Sequence, residues 1–138
     1  MNADATTTYL IPEPFQAALK IVRRALGEQD IRIVEELDLP RIMAQMLGIH
    51  LPPFRVLMVS CPRLLQGAVD ESPFLLAFFP LYVVTAAHGH YTEVHVAGPS
   101  HCEEALPRET AGLVDAAHTR LQHVLGAIAM RQPVCSLA

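Results

Sequence analysis

The feature that most constrains this chain is the stretch from Phe54 to Thr85, FRVLMVSCPRLLQGAVDESPFLLAFFPLYVVT. It opens with a nearly all-apolar run, Phe54 to Val59, too short for a typical helix and rich in the residues of a covered strand. Cys61-Pro62 then turns the chain into a short helix, Arg63 to Asp70, because proline suits the first turn of a helix. Glu71-Ser72-Pro73 breaks that helix, Phe74 to Phe79 is an apolar approach, and Leu81 to Ala87 reads as a second strand. Two strands of this kind require a sheet with cover, and the remainder of the chain has to supply it.

The flanking segments do so. Thr7 to Ile11 reads as a first strand, after residues 1–6, which are small and polar and are expected to be disordered. Pro12 and Pro14 lead into a helix with apolar residues at Phe15, Ala18, Leu19, Val22 and Leu26. Lys20, Arg23 and Arg24 lie on its other side, where a solvated face is the plainer reading than a phosphate site. Asp30 to Leu39 begins as an alternating strand around Ile31 and Ile33. Pro40 then starts a short helix, with Ile42, Met43, Met46 and Leu47 on its apolar side and Gly48 as its stop. The methionines read as core filler rather than a metal box.

After the central stretch, Tyr91 to Ala97 pairs with Leu81 to Ala87 across His88-Gly89-His90, a tight glycine-containing hairpin signal. Alternation puts Val94 and Val96 inward and Glu93 and His95 outward, and Val83 is taken as an outward apolar residue. A polar linker, His101 to Pro107, precedes a last helix from about Arg108 to Met130. Val114, Ala117, Leu121, Val124, Leu125 and Ile128 form its buried stripe, and residues 131–138 are a tail. The pattern is an α+β fold: a small, mainly antiparallel sheet with helices packed on one face and a long C-terminal helix, in one domain spanning 7–130.

Composition excludes several classes of function. With 51% hydrophobic residues in 138, the chain can bury a core; its net charge of −4 gives no general attraction to nucleic acid or an anionic membrane. No uncharged apolar run reaches the roughly 18 residues of a membrane helix. The opening MNADATTTYL lacks the basic and apolar regions of a secretory signal, so a soluble cytoplasmic protein is expected. Three cysteines, Cys61, Cys102 and Cys135, at irregular spacing form neither a disulfide framework nor a CxxC pair. The phosphate-loop, dinucleotide, zinc-protease and nucleophile-elbow motifs are absent.

The middle of the chain resembles a known family. Glu36-Leu37-Asp38 closes a strand, Met46-Leu47-Gly48-Ile49 closes a helix, Ser60-Cys61-Pro62 follows a strand, and Phe79-Pro80-Leu81 opens the next. In order and spacing, from about Tyr9 to Pro99, these resemble the marks of DUF302, small bacterial and archaeal domains of unknown function. Aligned on Pro62, the family's first cysteine falls on Ser60, its asparagine on Cys61 and its second cysteine on Leu81. Any two-thiol chemistry is therefore not carried over. The helix from Arg108 lies beyond the matched part. The resemblance implies the α+β fold above and a homodimer, and it implies no activity.

Cys61 is the sharpest single candidate for chemistry. A thiol at a helix N-terminus meets unpaired amides and the helix dipole, which favour the thiolate. A nucleophile also needs a base, and no histidine is near in sequence; a buried cysteine packing as a small hydrophobe is the plainer reading. Among seven histidines, His88 and His90 at the hairpin tip, with His95 further along, are candidate metal ligands, and Glu93 shares the face of His95. Exposed turn histidines are the plainer reading there. His101-Cys102-Glu103-Glu104 cannot all face one ion without a special loop, and His118 and His123 stand about 140° apart around a helix, with His118 beside Val114 and Leu121 on its apolar side. Asp38 reads as the cap of the short helix rather than half of an acid–base pair with Glu36. The expectation is a homodimeric module binding a small-molecule or protein ligand without its own catalysis, with no cofactor named. The alternative is a thiol- or metal-dependent activity centred on Cys61, with histidines supplied by the fold.

Overall fold

A computed structural model describes residues 6–71, 81–97 and 108–129. In chain order these form β1 (Thr6–Ile11), α1 (Phe15–Glu28), β2 (Arg32–Leu37), α2 (Leu39–Leu47), β3 (Phe54–Ser60), α3 (Pro62–Glu71), β4 (Leu81–His88), β5 (Tyr91–Ala97) and α4 (Arg108–Ile128). The apolar approach at Phe74 to Phe79, the linker at 101–107, Cys102, Cys135 and the tail fall outside the described residues. Thr6, read above as part of the disordered start, is the first residue of β1.

The five strands form one sheet, ordered β1-β5-β4-β3-β2, in which every neighbouring pair is antiparallel. Successive side chains in a strand point to opposite faces, so the register sorts the sheet into two surfaces. On one, Leu57 lies opposite Val83, Val83 opposite Val96, and Val59 opposite Leu81. This face is packed against α1 and α4, whose Ala18, Leu19, Val22, Leu26, Val114, Ala117, Leu121 and Leu125 join it in one core. Burying each such Leu or Val contributes roughly 1.5–3 kcal/mol relative to exposure. The stripes expected for the first and last helices are the ones buried, although Ile128 is only partly covered. Two buried polar side chains of the core are satisfied: Thr85 Oγ1 donates to the Arg55 carbonyl and Thr92 Oγ1 to the Glu13 carbonyl.

Val83 is fully buried, against the expectation of an outward residue. The parity of β4 decides this: Leu81, Val83 and Thr85 face the helices, and Tyr82, 49% exposed, takes the outward place. The opposite, open face carries the rows Val56–Val84–His95–Thr8 and Phe54–Ala86–Glu93–Leu10. Among the described residues no helix is long and apolar enough to cross a membrane.

At β2 the register slips between Ile33 and Glu35, a β-bulge in which Val34 is the extra residue and points to solvent. Ile33 opposes Val59 and Glu36 opposes Leu57, so both fall on the helix-covered face although they are three residues apart. Without the bulge, Glu35 would take that place.

The short helix α2 departs most from expectation. Asp38 caps it, its Oδ1 accepting from the Arg41 amide at 3.3 Å, and Gly48 ends it in the left-handed region at φ 67°. Yet α2 buries none of its residues. Met46 is 75% and Leu47 63% exposed, so Met46 is not core filler. The 3.6-residue period is the same whether the apolar side meets the chain's own core or is left uncovered.

Candidate functional site

The hairpin that carries most of the polar candidates forms because Gly89 takes φ 68° in a two-residue loop, joining His88 directly to Tyr91. A positive φ at the first loop residue alone is the requirement of a type II′ turn, whose twist matches that of the strands. The His88 and Tyr91 rings stack, 4.7 Å between centroids and 17° apart in plane.

From this tip a polar row runs diagonally across the open face. His88 Nε2 lies 3.9 Å from Glu93 Oε2, and His95 Nε2 lies 3.1 Å from Glu93 Oε1. His95 Nδ1 lies 2.9 Å from Thr8 Oγ1, on the neighbouring strand. Thr8 and His95 are direct partners in the β1–β5 register, and Glu93 follows on the same face. An ionised carboxylate only accepts, so the hydrogen between Glu93 and His95 sits on Nε2. In the neutral ring Nδ1 is then a lone pair, and the Thr8 hydroxyl donates to it. Two of the three histidines singled out in the sequence, His88 and His95, thus converge on Glu93, whereas His90 occupies the turn. Among the described residues no set of three His, Cys, Asp or Glu side chains stands ready to hold a metal ion. Thr8 was missed because its partner is 87 positions away in sequence; only the strand order brings them together.

A second polar cluster lies on the helix-covered face. Glu36 accepts from Arg23 through both carboxylate oxygens, at 2.7 and 2.8 Å, and from Arg55 at 3.2 Å. Arg55 also reaches Asp38 at 3.6 Å. The hydrogen bond from Arg23 is the main influence holding the Glu36 carboxyl below its ordinary range, against a smaller upward push from burial. Arg23, read above as part of a solvated face, is therefore the anchor of α1 to β2. The bulge makes this contact, and no local pattern announces it.

Cys61 directly precedes α3 and is buried, 4% exposed, as a free thiol. Burial is the largest influence on it and pushes its pKa up; Arg120 acts in the opposite direction and Asp30 adds to the rise. Desolvation of the thiolate thus outweighs the opposing pull of Arg120. His118 is buried on the apolar side of α4, as its spacing indicated.

The exposed large apolar side chains concentrate around α2: Val34, Ile42, Met46, Leu47, Ile49 and Leu51. They lie on the bulge of β2, on α2, and on the segment leading into β3.

The fold and these sites define a class: an α+β domain with a five-stranded antiparallel sheet, covered by helices on one face and, among the described residues, open on the other. The model of the family described as a domain of unknown function, DUF302, matches residues 7–128, and the chain belongs to that family. The match runs through α4, further than the motifs between Tyr9 and Pro99 indicated. Among solved structures, an uncharacterized conserved DUF302 protein from Bacillus stearothermophilus superposes with a TM-score of 0.77 at 14% sequence identity. The alignment covers 90% of this chain and 98% of that one, which establishes the shared fold. No curated protein sequence matches the chain.

Proposed function

We propose that the chain works as a homodimeric interaction module, joined through α2 and the segment that follows it. The observation that carries this reading is a strongly amphipathic helix with no fully buried residue, whose apolar Ile42, Met46 and Leu47 are exposed. A nine-residue helix is marginal in water by its own hydrogen bonds and owes its stability to packing of an apolar face. Six large exposed apolar side chains on α2 and the segments beside it suit an interaction surface rather than ordinary solvent contact. A two-fold dimer supplies the cover with the same patch on both subunits, the commonest closed arrangement of soluble oligomers. The open sheet face, with Phe54, Val56, Val84 and Tyr82, remains for a small-molecule or protein ligand.

Native mass spectrometry and light scattering across micromolar concentrations test this reading. The wild-type chain is expected at twice its 15.1 kDa mass, and Met46→Glu with Leu47→Glu is expected as a monomer with an unchanged circular dichroism spectrum. A wild-type chain that is monomeric throughout the range overturns it. Extra non-covalent mass on the dimer would identify the ligand directly.

A further inference from the structure

We propose that Thr8 is an activated hydroxyl nucleophile on the open sheet face, with His95 as its base and Glu93 as the residue positioning the imidazole, and that it accepts an acyl group from activated esters. This goes beyond the interaction-module reading and uses a different surface. A threonine facing a histidine across two strands is an ordinary structural pair. What exceeds it here is the complete chain of hydroxyl, imidazole and carboxylate, with successive distances of 2.9 and 3.1 Å. A nucleophile within hydrogen-bond reach of a base that a third group orients is the arrangement on which hydroxyl activation depends.

Three further features support the assignment. Glu93 is mostly shielded, its side chain 18% exposed, and His88 stands beside its second oxygen, so the carboxylate is held rather than free. Thr8 is only half-buried, so it is not sealed inside the core. Among the described residues β1 is bonded on one side only, to β5, and an edge strand leaves main-chain N–H donors along its rim. Donors of that kind are what the oxyanion of an acyl-transfer intermediate requires.

In the step, Thr8 Oγ1 adds to the ester carbonyl carbon and its proton passes to His95 Nδ1. The tetrahedral adduct collapses with cleavage of the carbon–oxygen bond to the leaving group, which departs as the alcohol carrying that proton. Water then adds to the Thr8 acyl ester, with its proton taken by His95. As the bond to Thr8 breaks, the proton returns to Oγ1 and the carboxylic acid is released. No redox partner is needed.

The test uses the full chain and p-nitrophenyl acetate, with intact-mass and peptide mapping beside the rate. Thr8→Val keeps the shape and strand preference of the residue, and Thr8→Ser keeps the hydroxyl. The expected result is one acetyl group on the peptide containing Thr8 in wild type and Thr8→Ser, and none in Thr8→Val. Removing the base with His95→Phe is expected to slow hydrolysis about 10²-fold, within the range of general-base contributions. Glu93→Gln is expected to shift the pH–rate profile while Glu93→Asp restores it, a change that a merely structural role would not produce. Hydrolysis unchanged in Thr8→Val, with no acetyl on the Thr8 peptide, overturns the proposal and leaves a histidine acting on the ester alone. A wild-type chain that neither hydrolyses the ester nor carries the acetyl group overturns it as well.

Discussion

Glu36 draws three hydrogen bonds from two guanidinium groups on different elements, and its side chain is 23% exposed. Its folded-state pKa lies below the ordinary value of 4.5 because the charged form is the bonded one. The stabilisation is therefore complete above that value and is lost as pH falls through the depressed one. Glu36→Gln is expected to cost about 1–2 kcal/mol in urea denaturation at neutral pH; Arg23, at 39% exposed, keeps the figure at the low end. The same variant should flatten the loss of stability between neutral pH and acid, so that the two curves converge at low pH. Equal slopes for both proteins would show that the cluster is not coupled to folding. Cys61 illustrates the opposite balance at this scale: burial, the plainer reading of it in the sequence, is the largest influence and raises its pKa.

At the scale of elements, the ends of helices and hairpins follow local chemistry closely. Gly48 and Gly89 both occupy positive φ, and a Cβ built at Gly48 meets nothing within 4 Å. Any penalty at Gly48 is thus conformational rather than steric against neighbours. Gly48→Ala is expected to lower stability by about 1 kcal/mol, with Gly48→Asn closer to wild type, as read from urea midpoints. Equal midpoints for all three would place the helix end elsewhere. The bulge in β2 belongs to the same scale but was not legible. The sequence shows Ile31 and Ile33 alternating and then losing the pattern at Val34-Glu35-Glu36. A lost alternation is equally compatible with the end of a strand, and here it is a strand that continues with one residue extra.

For the whole molecule, the consequence of the exposed apolar side chains on α2 is linkage between folding and association. If the folded chain is a dimer, raising its concentration stabilises it by mass action. The midpoint of thermal unfolding is expected to rise over a hundredfold range of chain concentration in wild type and to stay constant in the Met46→Glu, Leu47→Glu variant. A constant midpoint in both would mean that the apolar side of α2 is exposed to water in the native state. The sheet separates this surface from the polar row at Thr8, His95 and Glu93, so the two can be tested independently.

The sequence by itself determined the kinds of element, their order and the buried stripes of α1 and α4, because these depend on periodicities of two and about 3.6 residues and on proline and glycine at the ends. It also carried the family marks, which depend only on spacing along the chain. The tertiary structure alone decided which face of each strand met the helices, since a shift of one residue exchanges the two faces, as Val83 and Tyr82 show. It alone decided which polar residues met, because Thr8 and His95, or Arg23 and Arg55, are brought together by strand order and by the packing of α1, neither of which has a local signature. And it alone left Ile42, Met46 and Leu47 of α2 exposed, since an amphipathic pattern records that a helix has an apolar side without recording what will lie against it.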